Sequence, residues 1–335
     1  MIYLQQPVAT ARVLSGMRPT GRLHLGHMTV LNNWVQLQSK FECYFFVADW
    51  HALTTSFEET QLFAGYIRDL VIDWLAVGLD PQKSTIFIQS RVKEHAELFL
   101  LLSMITPVSW LERCPTYKDQ VIQLGQQGKE IAMLGFLGYP VLMSADILMY
   151  QAQFVPVGED QLPHLEICRE IARRFNYLYR QEVFVEPKAL LSEISLLPGL
   201  DGRKMSKSYD NFISLSASSD EIKTKVKTMV TDPARIHKTD PGHPQICNVF
   251  AFHRIFTSAA APQIEADCRQ AGIGCVACKQ LLAASIDSYI APIREERRKL
   301  ESNPNLVDEI LEDGRERATR AAVRTMEMVR GAIGM

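Results

Sequence analysis

Over the first two hundred residues of this 335-residue chain, short apolar runs alternate with longer stretches of helical periodicity. "ARVLSG" at 11–16, "CYFFVAD" at 43–49, "TIFIQS" at 85–90 and "FVPVG" at 154–158 read as strands. A helix is expected from about Leu25, a second within "EETQLFAGYIRDLVIDWLAVG" at 58–78 with Gly78 as its stop, and a third over 160–175. A strand buried on both faces shows no polar alternation, and strands separated by helices of this length imply βαβ units and a parallel sheet. Beyond about residue 215 the strand-like runs cease. Ser218 and Glu221 there form a capping box, in which each side chain satisfies the other's free backbone N–H, and helical periodicity continues intermittently to the end. The pattern predicts an α/β protein with a parallel sheet, followed by an α-helical region.

Composition narrows this only slightly. Apolar residues make up 47% and charged residues 22%, as in an ordinary globular chain, and the net charge of −2 leaves room only for a local basic patch. The longest apolar stretch, "LFLLL" at 98–102, is too short to cross a bilayer, and the N-terminal stretch lacks the pattern of a signal peptide. A reducing, cytosolic setting and no membrane partner are expected. Clustered cysteines then lean towards metal binding rather than disulfides.

The chemistry begins in "SGMRPTGRLHLGH", residues 15–27, where the first strand gives way to the first helix. Glycines and helix N-terminal amides at such a junction present backbone donors to an anion. His24 and His27, three apart, can face one way from the first turn. A second element, "LPGLDGRKMSKSYDN" at 197–211, delivers Lys204 and Lys207 with the hydroxyls of Ser206 and Ser208 on a Gly- and Pro-bearing loop. Two ammonium groups on a mobile loop suit a polyphosphate whose charge shifts during reaction. A Walker-type loop is absent: "GQQGKE" at 125–130 has neither the spacing nor the hydroxyl. "GIGCVA" at 272–277 fits a dinucleotide fingerprint but follows a polar, helical stretch instead of a strand, and is rejected.

His24-Leu25-Gly26-His27 and Lys204 to Ser208 resemble the HIGH and KMSKS signatures of class I aminoacyl-tRNA synthetases. "GYPVLMSADILMY" at 138–150, "VPVGEDQLPHLEICREIARRFN" at 155–176 and "VTDPAR" at 230–235 extend the resemblance over most of the chain, to the tryptophanyl enzymes. The tyrosyl enzymes share the fold and both signatures; Gly158-Glu159-Asp160-Gln161 favours tryptophan. The resemblance implies a Rossmann-type catalytic domain at 1–215, with a helical insertion at about 105–135, and an α-helical anticodon-binding domain at 216–335. It implies ATP and Mg2+ as cofactors, L-tryptophan and tRNA(Trp) as partners, and a homodimer. His24, His27, Lys204 and Lys207 would be catalytic. Arg18, Pro19, Thr20, Gly26, Gly158, Glu159, Asp160, Leu197, Met205, Ser206 and Ser208 would join His27 and the lysines around the nucleotide. Arg18 stands where the family often has glutamine.

An indole is a large apolar disc with one N–H donor. Its site needs apolar walls and an acceptor, and Asp146, in an otherwise apolar helix, is too costly to bury idle. The resemblance gives Asp146 the indole N–H, Tyr139, Met143, Val155 and Val157 the walls, and Gln161 the amino group, with a contribution from His51.

For the tRNA, a local excess of eight Lys or Arg over four Asp or Glu runs from Arg203 to Lys238, and Arg317, Arg320 and Arg324 share a helical face. Four of the seven cysteines, Cys247, Cys268, Cys275 and Cys278, read as C-x20-C-x6-C-x2-C. Four thiolates drawn together repel unless a metal neutralises them, which leaves zinc or a four-iron cluster open. The pattern resembles that of a subset of bacterial tryptophanyl-tRNA synthetases carrying a [4Fe–4S] cluster, whose first gap is two residues longer. That resemblance favours the cluster over zinc.

Overall fold

The computed structural model describes residues 11–114, 118, 132–191 and 197–335, apart from the side chain of Ser208. Most of the expected insertion at 105–135, including "GQQGKE", lies outside the described residues. Five parallel strands, β1 (Arg12–Met17), β2 (Glu42–Val47), β3 (Ser84–Ile88), β4 (Phe154–Val157) and β5 (Lys188–Leu191), form one sheet in the order β3-β2-β1-β4-β5. The order reverses between β1 and β4. In such sheets ligands bind outside the carboxyl ends of the strands at that switch point.

The helices are α1 (Met28–Leu37), α2 (Asp49–Ser56), α3 (Phe63–Val77), α4 (Glu94–Ser103), α5 (Val108–Glu112), α6 (Leu134–Leu137), α7 (Tyr139–Met149), α8 (Leu162–Tyr179), α9 (Ser219–Thr228), α10 (Asn248–Phe256), α11 (Ala261–Arg269), α12 (Cys275–Ser302) and α13 (Pro304–Ile333). Four strands and the three expected helices fall where the pattern placed them. Gly78 follows α3 in the left-handed conformation, and the Ser218–Glu221 capping box opens α9. β5 escaped the pattern because only its Ala189, Leu190 and Leu191 are apolar and all are partly or wholly exposed.

Alternate residues of each strand feed opposite faces. Val13, Phe45 and Ile86 pack with Trp34, Trp74, Leu282 and Ile286 on one side; Leu14, Tyr44, Phe46 and Phe87 pack with Leu148, Leu165, Ala318 and Met326 on the other. Helices from the last 120 residues therefore complete the core of the sheet. α13 lies against the backbone of edge strand β3 so closely that a Cβ on Gly314 would stand 1.7 Å from the Ile86 carbonyl oxygen. Arg317 donates to the Pro81 and Ser84 carbonyls at 2.7 and 3.0 Å, which covers an edge that would otherwise present unpaired acceptors. Buried Arg297 of α12 meets Asp73 of α3 and also Glu301 at 2.8 Å.

Candidate active site

The two signatures, 180 residues apart, are zipped together by backbone. Leu25 N–H donates to the Ile213 carbonyl at 3.0 Å and Leu215 N–H to the Leu23 carbonyl at 3.1 Å, with His24 and Ser214 as antiparallel bridge partners. His24 and His27 cap one another's turn. Nδ1 of His24 accepts from Gly26 N–H and Nδ1 of His27 from His24 N–H, both at 3.2 Å. A Cβ on Gly26 would lie 3.0 Å from the His24 ring and 3.2 Å from the Met205 sulfur, so the residue between the histidines has almost no room to grow. Burial, with the neighbouring His27 and Lys207 charges, lowers the His24 pKa to about 3; burial and Lys207 lower that of His27 to about 4. Both rings are neutral at pH 7. Where Nδ1 accepts, as that of His24 does from Gly26 N–H, the proton of the neutral ring sits on Nε2; Nδ1 of His27 also lies 3.3 Å from the His24 carbonyl.

Met205 is buried in the core beside Gly26, and Lys207, two residues on, lines the cavity. Its Nζ donates to the Gly21 carbonyl at 2.8 Å, and burial, reinforced by Arg18, lowers its pKa to about 8 against the opposing pull of Asp73. Arg18 extends to Thr55 Oγ1 at 3.3 Å. The cavity, about 420 Å³, is lined by Arg18, Thr20, His27, His51, Tyr139, Met143, Asp146, Val155, Val157, Gly158, Gln161 and Lys207 among others. It joins the expected nucleotide end to the expected indole end.

Several expected residues stand elsewhere. Lys204 is exposed and outside the lining, as are Glu159 and Asp160; Asp160 accepts from Gln161 Nε2 at 2.8 Å. Leu197 is buried in the core against the sheet, Pro19 is buried behind the turn, and Ser206 N–H donates to Asn211 Oδ1 at 2.8 Å.

At the other end of the cavity Asp146 is buried and fully engaged. Oδ1 accepts from Gln89 Nε2 at 2.8 Å and His95 Nδ1 at 2.6 Å; Oδ2 accepts from Gln89 Nε2 at 2.9 Å and His51 Nε2 at 2.8 Å. Burial pushes its pKa up, but the hydrogen bonds from His51 and His95 outweigh that and hold the carboxyl below its usual value, hence ionised. Since a carboxylate only accepts, His95 donates from Nδ1 and takes the Tyr150 hydroxyl proton at Nε2, 2.7 Å away. Nδ1 of His51 is buried with no partner among the described residues. Gln89, His95 and Tyr150 were not singled out from sequence. Gln89 had a signal, a polar residue at the carboxyl end of β3; His95 and Tyr150 had none, because nothing local shows that they meet Asp146.

A family model described as tRNA synthetases class I (W and Y) matches residues 7–290. The tryptophan–tRNA ligase of Thermotoga maritima is 52% identical over 328 residues, covering 97% of this chain and 99% of that protein. That of Aquifex aeolicus is 46% identical over 394 aligned residues, with 97% and 100% covered. A crystal structure of tryptophanyl-tRNA synthetase from Campylobacter jejuni, complexed with ADP and tryptophan, matches with a TM-score of 0.88 at 34% identity, over 97% of this chain and 100% of that one. The chain belongs to the class I tryptophanyl-tRNA synthetases. Tyrosyl-tRNA synthetase from Archaeoglobus fulgidus, at 19% identity and a TM-score of 0.64, shares the fold alone.

Outside the cavity, four of the seven cysteines of this synthetase lie in one region, where the sulfurs of Cys247, Cys268 and Cys275 act on that of Cys278. Cys247 immediately precedes α10, Cys268 lies in the last turn of α11, and Cys275 and Cys278 occupy the first turn of α12. Burial and the charges of the other three sulfurs push the Cys278 thiol up to about 12; burial also raises Cys268, against the pull of Arg235. Arg235 approaches the Cys268 sulfur at 3.7 Å. Among the described residues, no three His, Cys, Asp or Glu side chains stand in an arrangement that could hold a metal ion. The arginine row on α13 is largely engaged within the protein: Arg317 on β3 and Asp313, Arg320 on Glu316, and Arg324 on the Arg320 carbonyl. No helix among the described residues is long and apolar enough to cross a membrane.

Proposed function

We propose that the enzyme activates L-tryptophan with ATP, forming tryptophanyl-adenylate and pyrophosphate, and passes the tryptophanyl group to tRNA(Trp). The observation that carries this reading is a single cavity with neutral His27 and cationic Lys207 at one end and ionised Asp146 between apolar walls at the other. The tryptophan carboxylate attacks the α-phosphate in line, and most of the protein's work is positioning and charge stabilisation. His24 and His27 donate from Nε2 to phosphate oxygens. Lys207 exchanges the Gly21 carbonyl for the departing pyrophosphate, and Lys204 reaches the same phosphates from outside. Gly158 to Asp160 approach the ribose. Tyr139, Met143, Val155 and Val157 clasp the indole ring, and Gln161 meets the amino group. The indole N–H enters at Asp146 from the cavity side, where His51 is the donor that gives way; Gln89 and His95 hold the carboxylate from behind. Mg2+ fits as a companion of the nucleotide, since the cavity offers one carboxylate and that one is saturated; it would neutralise phosphate charge. The ADP and tryptophan bound by the Campylobacter relative support this pairing of ligands.

Finer features belong to the same proposal. The helical region from about residue 216 takes the anticodon end of the tRNA, the chain acts as a cytoplasmic homodimer, and Leu100, Met104, Val108 and Leu134 supply exposed apolar surface for the partner copy. The four thiols hold a [4Fe–4S] cluster in a structural role. The donor set is all sulfur, and at Cys268 and Cys278 the neighbouring sulfurs add to burial in disfavouring the thiolate, a repulsion that such a cluster would relieve. Anaerobically purified protein should contain iron and sulfide and lose both on Cys275→Ser; one zinc per chain, or no metal, would exclude the cluster.

ATP–pyrophosphate exchange with each amino acid tests the activity itself. Tryptophan should support it and tyrosine should not; faster exchange with tyrosine would overturn the assignment.

A further inference from the structure

The loop that carries Lys204 and Lys207 is held at its base by a side chain nearly fifty residues away. Asn248, the first residue of α10, directs Nδ2 to the carbonyl oxygens of Gly199 at 2.8 Å and Leu200 at 3.0 Å. It is 9% exposed, whereas Arg203 and Lys204 a few residues along the loop are open to solvent. The Leu200 carbonyl also accepts from Val230 N–H at 3.1 Å. Inside the loop a second amide closes the turn. Asn211 Nδ2 donates to Asp201 Oδ1 at 2.7 Å and to the Lys204 carbonyl at 3.1 Å, while its Oδ1 accepts from Ser206 N–H. Asn211 thus shapes the loop and Asn248 fastens that shape to the helical region. A neutral amide suits this position, because it donates to two carbonyls without the desolvation cost of a buried cation.

Lys225 of α9 also ties the far end of the loop, through Asp210 Oδ1 at 2.7 Å, and the bond from Lys207 Nζ to the Gly21 carbonyl is the tie a phosphate must replace. When that bond is given up, the approach of Lys207 is set by where the base of the loop is held. We propose that Asn248 is a positioning residue of the lysine loop: it fixes Gly199 and Leu200 to α10, so that Lys207 reaches the nucleotide from a set base and the loop moves with α10. This rests on the reading that Lys207 meets the phosphates of ATP.

The test uses the full-length enzyme. Asn248→Asp keeps the side-chain shape but replaces the donor with an acceptor; Asn248→Gln keeps an amide donor. For Asn248→Asp the KM for ATP in pyrophosphate exchange should rise about tenfold, roughly the loss of two net hydrogen bonds. Tryptophan affinity measured without nucleotide should stay within about twofold, a change too small to count as a lost contact. Amides of residues 200–211 should exchange hydrogen faster while β1–β3 keep their protection, and Asn248→Gln should recover part of the ATP KM. Unchanged ATP KM and loop exchange in a folded Asn248→Asp protein would overturn the proposal. So would a parallel loss of tryptophan affinity and melting temperature, which would make the role purely structural. Lys207→Ala, assayed alongside, separates the two ideas: if it leaves the ATP KM untouched while Asn248→Asp loosens the loop, the assignment of Lys207 has failed and the anchoring has not.

Discussion

The two ends of the cavity are built on opposite principles. At the indole end, Asp146 is buried, ionised and saturated by His51, Gln89 and His95, with Tyr150 behind His95. At the nucleotide end, Lys207 and Arg18 face the same space with like charge, parked on a carbonyl and a hydroxyl. The first end is rigid before its ligand arrives, as a site that must distinguish one ring from another requires. The second holds cations short of counter-charge, as a site for a polyphosphate that enters and leaves requires. On the proposed reading, specificity is stored in satisfied hydrogen bonds and catalysis in unsatisfied charge.

Substitutions should separate the ends. The largest effect is expected from Asp146→Ala, which leaves three buried donors without an acceptor. kcat/KM for tryptophan should fall by roughly a hundredfold or more, a few kcal/mol, with ATP binding little changed. Lys207→Ala should act the other way round, slowing pyrophosphate exchange by roughly tenfold to a hundredfold with tryptophan affinity intact. Equal losses of both kinds in both variants would dissolve the distinction.

The pH profile sharpens it. Lys207 must be protonated to meet phosphate, and its pKa in the free enzyme lies at about 8, lowered chiefly by burial. kcat/KM for ATP should therefore be flat below pH 8 and fall about tenfold per pH unit above it. Lys207→Arg, charged throughout, should abolish the fall, and Arg18→Gln, by removing a repelling cation, should move it to higher pH. Because the folded pKa is lower than the unfolded one, the buried ammonium opposes folding at neutral pH, and that cost fades between about pH 8 and 10.5.

The smallest effect is expected from Tyr150→Phe. Loss of the hydroxyl that donates to His95 Nε2 should raise the tryptophan KM about threefold to tenfold, the net worth of one hydrogen bond, and leave the ATP KM alone. A Tyr150→Phe enzyme with an altered ATP KM would show that the two ends are not independent.

Hydrophobic pattern placed four of the five strands described, and single residues placed Gly78 as the stop of α3 and the Ser218–Glu221 capping box, because such features are decided within one turn or one strand. The HLGH turn and lysine loop were legible for a similar reason: each concentrates glycine, histidine or lysine in one short segment. β5, partly exposed and short, gave no such signal. Nor did the engagement of Arg317 with the Pro81 and Ser84 carbonyls at the start of β3, which turned an expected basic face into an edge cover.

Sequence by itself determined the α/β class, the two signature loops, and Asp146 as a carboxylate too costly to bury without a purpose. Only the tertiary structure decided what surrounds them. The antiparallel bridge between His24 and Ser214, the Nδ1 cap that leaves Nε2 of His24 to donate, the His95–Tyr150 support behind Asp146 and the Asn248 clasp on the lysine loop all depend on how the chain is folded back on itself. Hydrogen bonds of that kind depend on where the helices dock against the sheet. That docking is fixed by the summed burial of many apolar side chains, not by any local stretch of sequence.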